Sequence, residues 1–387
     1  MKQTILCLQG GIILLLLLFA GQASAEADPP ASQAWNPGNG FTINLPDQQA
    51  NAKVLGYIQS TFNFYGAHEN GAVSNEFYVR RARLDFIFRY RDRYELFFEF
   101  DGAGSARTQM VLAQMDMEYL TDHFIRVGKF ITPFSPENNR SSKRLSTVER
   151  YSALNSLFLL PALDTQFGVM LFGRIQNLDY YLSVTNGNAS ASANIREDNN
   201  HKDVQLRLAY PIRDNIRYGL SFYHSNHKRQ TLKLVGHSFS AYNEVPVTGR
   251  RYGMLVDSEW YYGNWHTSGE LFLIRFHEPL SDDHQAGLFY GSYSELGYRL
   301  HGDDRNGHQL IGRIEAGQIF DRHPDLQGVS RLYSLLAGHN WYTADGLFRF
   351  QTNIIYHLPD RHSDLANSRY ENRNGSFEFL LMLQLSI

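Results

Sequence analysis

Two stretches of this sequence concentrate charge in patterns that could do chemistry. The first runs Phe77-Tyr78-Val79-Arg80-Arg81-Ala82-Arg83-Leu84 and continues to Tyr90. Ala82, Leu84, Phe86, Phe88 and Tyr90 alternate there with Arg81, Arg83, Asp85 and Arg89. A period of two gives a strand with an apolar face and a cationic face. Guanidinium groups facing a narrow water path can select anions; the same groups can equally pair with carboxylates opposite them. Arg80 has the apolar parity and is expected to reach the membrane interface along its own stem. The second stretch is the connection 132–165. It begins Thr132-Pro133-Phe134-Ser135-Pro136-Glu137, carries Arg140, Lys143, Arg144, Glu149 and Arg150, and then turns apolar at Leu157, Phe158, Leu159 and Leu160. A loop this long with its own apolar cluster is expected to pack on something.

Enzymatic signatures are missing. The chain has no G-x-S-x-G, no H-E-x-x-H, no P-loop and no paired Cys/His spacing, so no catalytic residue, cofactor or metal is assigned. His224 to His227 and Asp282-Asp283-His284 read as solvated clusters rather than ligand sets. The single cysteine, Cys7, precedes the apolar run near the N-terminus, which leaves no disulfide framework in the rest of the chain. With 36 Lys+Arg against 39 Asp+Glu the chain is slightly acidic, which argues against a nucleic-acid partner.

The elements that must position these residues follow from the rest of the pattern. Lys2, the apolar run Ile12 to Ala20 and Ala23-Ser24-Ala25 have the form of a cleaved export signal over 1–25. Residues 26–51 are rich in Pro, Gln and Asn and read as a loose periplasmic lead-in. From 52 to 387 alternating segments recur, at about 53–65, 76–90, 93–101, 110–120, 123–131, 166–174, 178–186, 202–211, 216–224, 250–261, 264–276, 288–301, 308–320, 331–343, 346–357 and 375–387. Short connections near Arg91-Asp92, Thr121-Asp122, Gln176-Asn177 and Gly263 alternate with long ones, the 225–249 connection among them. That asymmetry predicts an all-β, transmembrane antiparallel barrel of sixteen strands with both termini on the short-turn side. Tyr90, Tyr94, Tyr119, Tyr210, Tyr218, Tyr261, Trp265, Tyr298 and Trp341 fall at the short-turn ends, where an aromatic girdle would meet lipid headgroups.

Register follows from cost. In the opposite register Arg81, Arg83, Asp85 and Arg89 would face lipid, at about 2–4 kcal/mol for each arginine near the midplane. A barrel of this size is too wide for side chains to fill, so it holds water. The 132–165 connection follows the fifth strand and is expected to fold inward against the lumen wall and narrow the pore. The alternative is an external loop contacting a neighbouring subunit. The anion path would then comprise Arg81, Arg83, Arg126, Arg140, Lys143, Arg144 and Arg150, with Asp85, Glu95, Glu99, Asp116 and Glu118 as lumen counter-charges.

The runs FYVRRARLDFIFRYRDRYELFFEFD, VGKFITPFSPEN with SSKRLSTVERYSALN, and LLAGHNWYTADGLFRFQTNIIYH resemble the phosphate-selective porin O and P family, over about residue 52 to the end. The resemblance implies an outer-membrane trimeric porin with a constriction loop, and carries Arg81 and Arg83 over as pore-lining cations. Outer-membrane lipid, small anions or other small polar solutes, and two further copies of the chain are the implied partners. Inward Glu259, Glu270, Glu295, Glu315 and Glu378 add to the counter-charges above, so a mild anion preference is expected, short of strict phosphate specificity. Two alternatives remain: a general non-selective porin, and a structural or adhesive barrel with a plugged lumen.

Overall fold

The computed structural model describes residues 33–36, 38–45, 48–65, 75–103, 108–157, 163–187, 200–232, 245–279, 287–303, 305–319, 331–359 and 376–387. The expected export signal, Phe158 to Leu160 and Asp282-Asp283-His284 lie outside these residues, as do most of the long connections.

A short hairpin, β1 (Gln33–Asn36) and β2 (Gly40–Leu45), precedes the barrel. The barrel strands are β3 (Ala50–Tyr65), β4 (Glu76–Tyr90), β5 (Tyr94–Asp101), β6 (Gln109–Leu120), β7 (His123–Ile131), β8 (Thr165–Ile175), β9 (Leu178–Thr185) and β10 (Asp203–Arg213). They continue as β11 (Ile216–Leu232), β12 (Val245–Tyr262), β13 (Trp265–Pro279), β14 (Gly287–Gly302), β15 (Gly307–Ile319), β16 (Arg331–Thr343), β17 (Phe348–Pro359) and β18 (Ser376–Ser386). Each pairs antiparallel with the next, and β18 returns to β3 with Leu385 opposite Ile58, which closes sixteen strands on themselves. Gly56 and Ile387 exchange backbone hydrogen bonds of 2.9 and 2.8 Å at the seam. Closure is what lipid demands, because an open sheet would leave two edges of unpaired N–H and C=O groups in hydrocarbon.

Alternation sets the two faces. On β18, Phe377, Leu381, Leu383 and Leu385 are exposed to the outside while Glu378, Gln384 and Ser386 are buried inward. Tight turns follow the short connections: Arg91 and Asp92 adopt φ of 52° and 50°, and Gly263 adopts 56°. Non-glycine residues in that left-handed region fit the twist of a two-stranded ribbon. The expected girdle residues Tyr90, Tyr94, Tyr119, Tyr210, Tyr218, Trp265 and Trp341 are exposed on the outer face, and Trp265 packs on Tyr298 at 4.5 Å between ring centroids. Tyr261 departs from the expectation, because it shares the inward parity of Glu259 and donates to it at 2.8 Å.

Three local features depart from the sequence reading. Part of the expected loose lead-in is ordered, since β2 adds to the lower half of β3 with Phe41 opposite Val54. The strands bounding the 225–249 connection run further than alternation suggested, to Leu232 and from Val245, because β11 and β12 stay paired above the level of their neighbours. Finally, a bulge opposite Gln59 and Ser60 re-aims Arg80. Phe77 and Val79 face out, Tyr78 bonds inward to Asn63 at 3.3 Å, and Arg80 turns inward beside Arg81 instead of reaching for the membrane interface. A bulge inserts one unpaired residue and so shifts facing by one.

Candidate functional site

The lumen is the site, and its dominant feature is the segment from Thr132 to Asp164. Ser135 accepts a hydrogen bond from Asn138 N at 3.1 Å and starts a single helical turn, α1 (Pro136–Asn139). A 3-10 turn follows at Ser142–Arg144, then α2 (Ser152–Leu157). Three peptide carbonyls, of Glu137, Asn138 and Arg140, accept from the Arg150 guanidinium at 3.0, 3.3 and 2.8 Å, which folds the segment on itself.

Inward-facing wall residues hold this segment from many sides. Glu270 on β13 accepts from Ser135 Oγ (2.7 Å), from the Glu137 N–H (2.6 Å) and from Tyr151 OH (3.1 Å). Arg313 on β15 binds Glu137 at 2.9 Å and Glu295 on β14 at 2.6 Å, and lies 3.8 Å from Glu315 and 4.6 Å from the Tyr293 ring. Glu315 in turn accepts from Ser152 N and Oγ, both at 3.0 Å. On the opposite side Glu149 receives Arg80 in a two-pronged ion pair and Arg81 at 3.3 Å. Asn340 Nδ2 donates to Ser146 O (2.8 Å), Gln351 Nε2 to Ser146 O (3.0 Å), and the Val148 N–H to Asn353 Oδ1 (2.8 Å). Arg349 donates to Lys143 O at 2.9 Å and to Leu145 O. Val148 also covers an apolar inner patch of Ile311, Leu336, Ile355, Leu380 and Met382. At Gly291 the wall leaves room for α2, because a Cβ there would lie 2.3 Å from Ala153 Cβ. Residues 132–157 of this segment thus pack on the inner wall, where Glu137, Arg140, Glu149 and Val148 find partners.

These contacts place the expected site residues. Arg81 has the expected inward parity, but it is only 2% exposed and is bound to Gln59 Oε1 at 2.8 Å as well as to Glu149, so it faces the segment and not open water. Arg83 pairs with Glu99 and, at 3.0 Å, with Asp101. Arg126 pairs with Asp116 through two bonds of 2.7 Å. Arg140 reaches Glu259 at 2.6 Å. Glu95 holds Arg89 at 2.6 Å and Glu118 lies 3.6 Å from Arg93. Most of the expected anion-path arginines are therefore paired with carboxylates, whereas Arg150 spends its N–H groups on backbone carbonyls inside the segment.

Lys143 and Arg144 are different. Arg144 is exposed and Lys143 half-buried. Both sit within electrostatic reach of Lys53, which the sequence reading did not single out, and Lys143 also of Asp85. Lys53 points inward on β3 near its periplasmic end and donates to the neutral Asn39 Oδ1 at 2.9 Å. Its inward parity in the strand next to Arg89 was the available signal. Burial pushes the Lys143 ammonium below its ordinary pKa; Arg144 and Lys53 push the same way and Asp85 opposes them. Lys53, Lys143 and Arg144 thus form a small cluster of like charge near the periplasmic end of β3, opposed at Lys143 by Asp85.

Comparison with known proteins agrees with this architecture. The sequence matches the phosphate-selective porin O and P family over residues 53–378. No curated protein matches it. Among solved structures, the anion-selective porin from Comamonas acidovorans is similar with a TM-score of 0.63 at 9% identity, over 87% of this chain and 100% of that one. The trimer form of Vibrio cholerae OmpT gives 0.61 at 10% identity, over 87% and 99%. Salmonella typhi OmpF in complex with daunomycin gives 0.57 at 10% identity, over 92% and 100%. At such identities these likenesses concern the fold.

Proposed function

This chain belongs to the phosphate-selective porin O and P family and is an outer-membrane porin, and from that premise we propose that it passes small anions with a mild preference set by Lys53, Lys143 and Arg144. The observation that carries this reading is the imbalance just described. Elsewhere in the lumen most of the named arginines meet carboxylates; among the described residues no ion pair engages Lys53, Lys143 or Arg144, and the one carboxylate acting on this cluster, through Lys143, is Asp85. Walls of low dielectric around a narrow water path raise the field of such a cluster above its value in bulk water. Residues 132–157 form the constriction, since they occupy the lumen and are anchored on strands around most of the barrel. Arg81, Arg83, Arg126, Arg140 and Arg150 act chiefly as fixings of that constriction and its facing wall, and phosphate is one of several anions that pass.

Export by a signal removed after Ala25 and assembly as a homotrimer complete the proposal. The first rests on the Ala23-Ser24-Ala25 pattern; the trimeric Vibrio neighbour supports the second.

The test is a reversal potential across a salt gradient in a planar bilayer. The parent channel should prefer anions, and K53Q/K143Q/R144Q should move the potential toward cations. The shift should shrink at high salt, where screening falls to about 3 Å. An unchanged potential at low salt refutes the assignment, and a channel without conductance would show a plugged barrel.

A further inference from the structure

We propose that the extracellular rim of β11, β12 and β13, on the lipid-facing side, is a binding site for a phosphate-bearing lipid of the outer leaflet, with Arg250 and Arg275 as the phosphate ligands. Nothing in the porin function requires these residues, because they point away from the lumen.

The facing follows from alternation. Phe222, His224 and Lys228 on β11, Val256, Met254, Tyr252 and Arg250 on β12, and Leu271, Leu273, Arg275 and His277 on β13 are all exposed on the outer face. Register aligns them, with His224 opposite Tyr252 and Tyr252 opposite Arg275. No ion pair within the described residues engages Arg250 or Arg275. Tyr252 stacks on His224 at 4.8 Å and meets the His277 ring edge-on at 5.7 Å, which fixes an aromatic shelf between the two arginines. His224 Nδ1 donates to Arg251 O at 3.2 Å.

Height decides what this surface touches. From Trp265 to Arg275, from Trp260 to Arg250 and from Tyr218 to Lys228 the strands run the same number of residues. At about 3.4 Å per residue and a tilt of about 40° each run climbs about 25 Å, the height of the apolar band of such barrels. The arginines therefore sit one band above the periplasmic girdle, at the level of the outer-leaflet headgroups. Directly beneath them the outer face is Phe222, Met254, Val256, Leu271 and Leu273. A cationic, hydrogen-bond-donating ledge above an apolar wall fits one ligand type: a net-anionic phosphate monoester carried on acyl chains, not a zwitterionic phosphodiester. Arginine suits it because its planar fork grips phosphate with two parallel bonds. A free phosphate ion would leave the wall beneath without a role.

The experiment uses the full-length folded protein in non-ionic detergent and counts bound molecules by native mass spectrometry. The probes are dioleoyl phosphatidic acid, dioleoyl phosphatidylcholine and inorganic phosphate. Phosphatidic acid should be retained over phosphatidylcholine, and inorganic phosphate should not displace it. R275Q should weaken retention about fivefold and R250Q/R275Q about thirtyfold, following the attraction of one and two cations at an anionic lipid surface. Single-channel conductance and heat-resistant gel mobility should stay at parental values, since both residues lie outside the lumen; R275Q alone carries the test should the double variant fail to fold. Equal retention of phosphatidylcholine, displacement by inorganic phosphate, undiminished retention in both variants, or loss of self-association in place of lipid would each overturn the proposal.

Discussion

Replacing Arg313 with glutamine should release one end of the constriction while leaving the barrel intact. In the parent, one guanidinium serves Glu137 at 2.9 Å, Glu295 at 2.6 Å and Glu315 at 3.8 Å, and all four side chains are almost wholly buried. Removing one partner from such a group leaves uncompensated charge, which costs about 3–5 kcal/mol. The Ser146 to Val148 stretch is held by neutral hydrogen bonds, with Asn340 and Gln351 donating to Ser146 O and Asn353 Oδ1 accepting from the Val148 N–H. Each of those contributes about 1 kcal/mol. The Arg313 cluster is thus a stronger fixing than those neutral bonds, alongside the Glu149 pairs with Arg80 and Arg81 on the opposite wall, and its loss bears on α1 and α2, which pack against β13 to β15, more than on Lys143 to Val148. R313Q should therefore raise single-channel conductance and expose α1 and α2 to protease, whereas N340A should do little of either. The barrel ladder contains neither substitution's main contacts, so heat-resistant mobility on gels should persist. A folded R313Q channel with parental conductance and a protected segment would refute the claim that this cluster holds the constriction.

Three further outcomes follow from the same contacts. Deleting Arg140 to Arg150 should raise conductance further than R313Q, because it removes the charges that tie the segment to both walls; unchanged conductance in a folded barrel would place the constriction elsewhere. Gly291→Ala puts a Cβ 2.3 Å from Ala153 Cβ; overpacking of this kind costs about 1–3 kcal/mol, so α2 should shift and conductance become noisier, and a silent substitution would show that α2 is not seated there. Anion preference should decline as pH rises through the Lys143 pKa. Burial disfavours the charged form of Lys143, so that decline should begin below the ordinary 10.5, and K143Q should remove the early part of it in reversal-potential measurements.

Alternation and turn residues made the sixteen strands legible, because lipid on one side and water on the other impose opposite chemistry on successive residues. Parity also placed Arg81, Arg83, Arg126 and the counter-charges on the inner face. Parity gives a face, however, and not a partner. That Glu149 meets Arg80 and Arg81, or that Glu137 meets Arg313, depends on how a loop crosses the lumen, and no local pattern records it. Arg80 was misplaced because a bulge breaks the period by one residue without leaving a glycine or proline as a sign. Lys53 went unremarked because a lone lysine in a strand gains meaning only when the loop brings Lys143 and Arg144 beside it.

The anchoring of the 132–157 segment also orders events in time. Among its named contacts, those on β12 to β18 belong to chain synthesised after the segment itself. The segment cannot reach its final seat until the last strands are present and the seam between β18 and β3 has formed. A barrel short of those strands would lack most of the segment's named anchors, so the narrowing of the bore depends on the same closure that seals the wall.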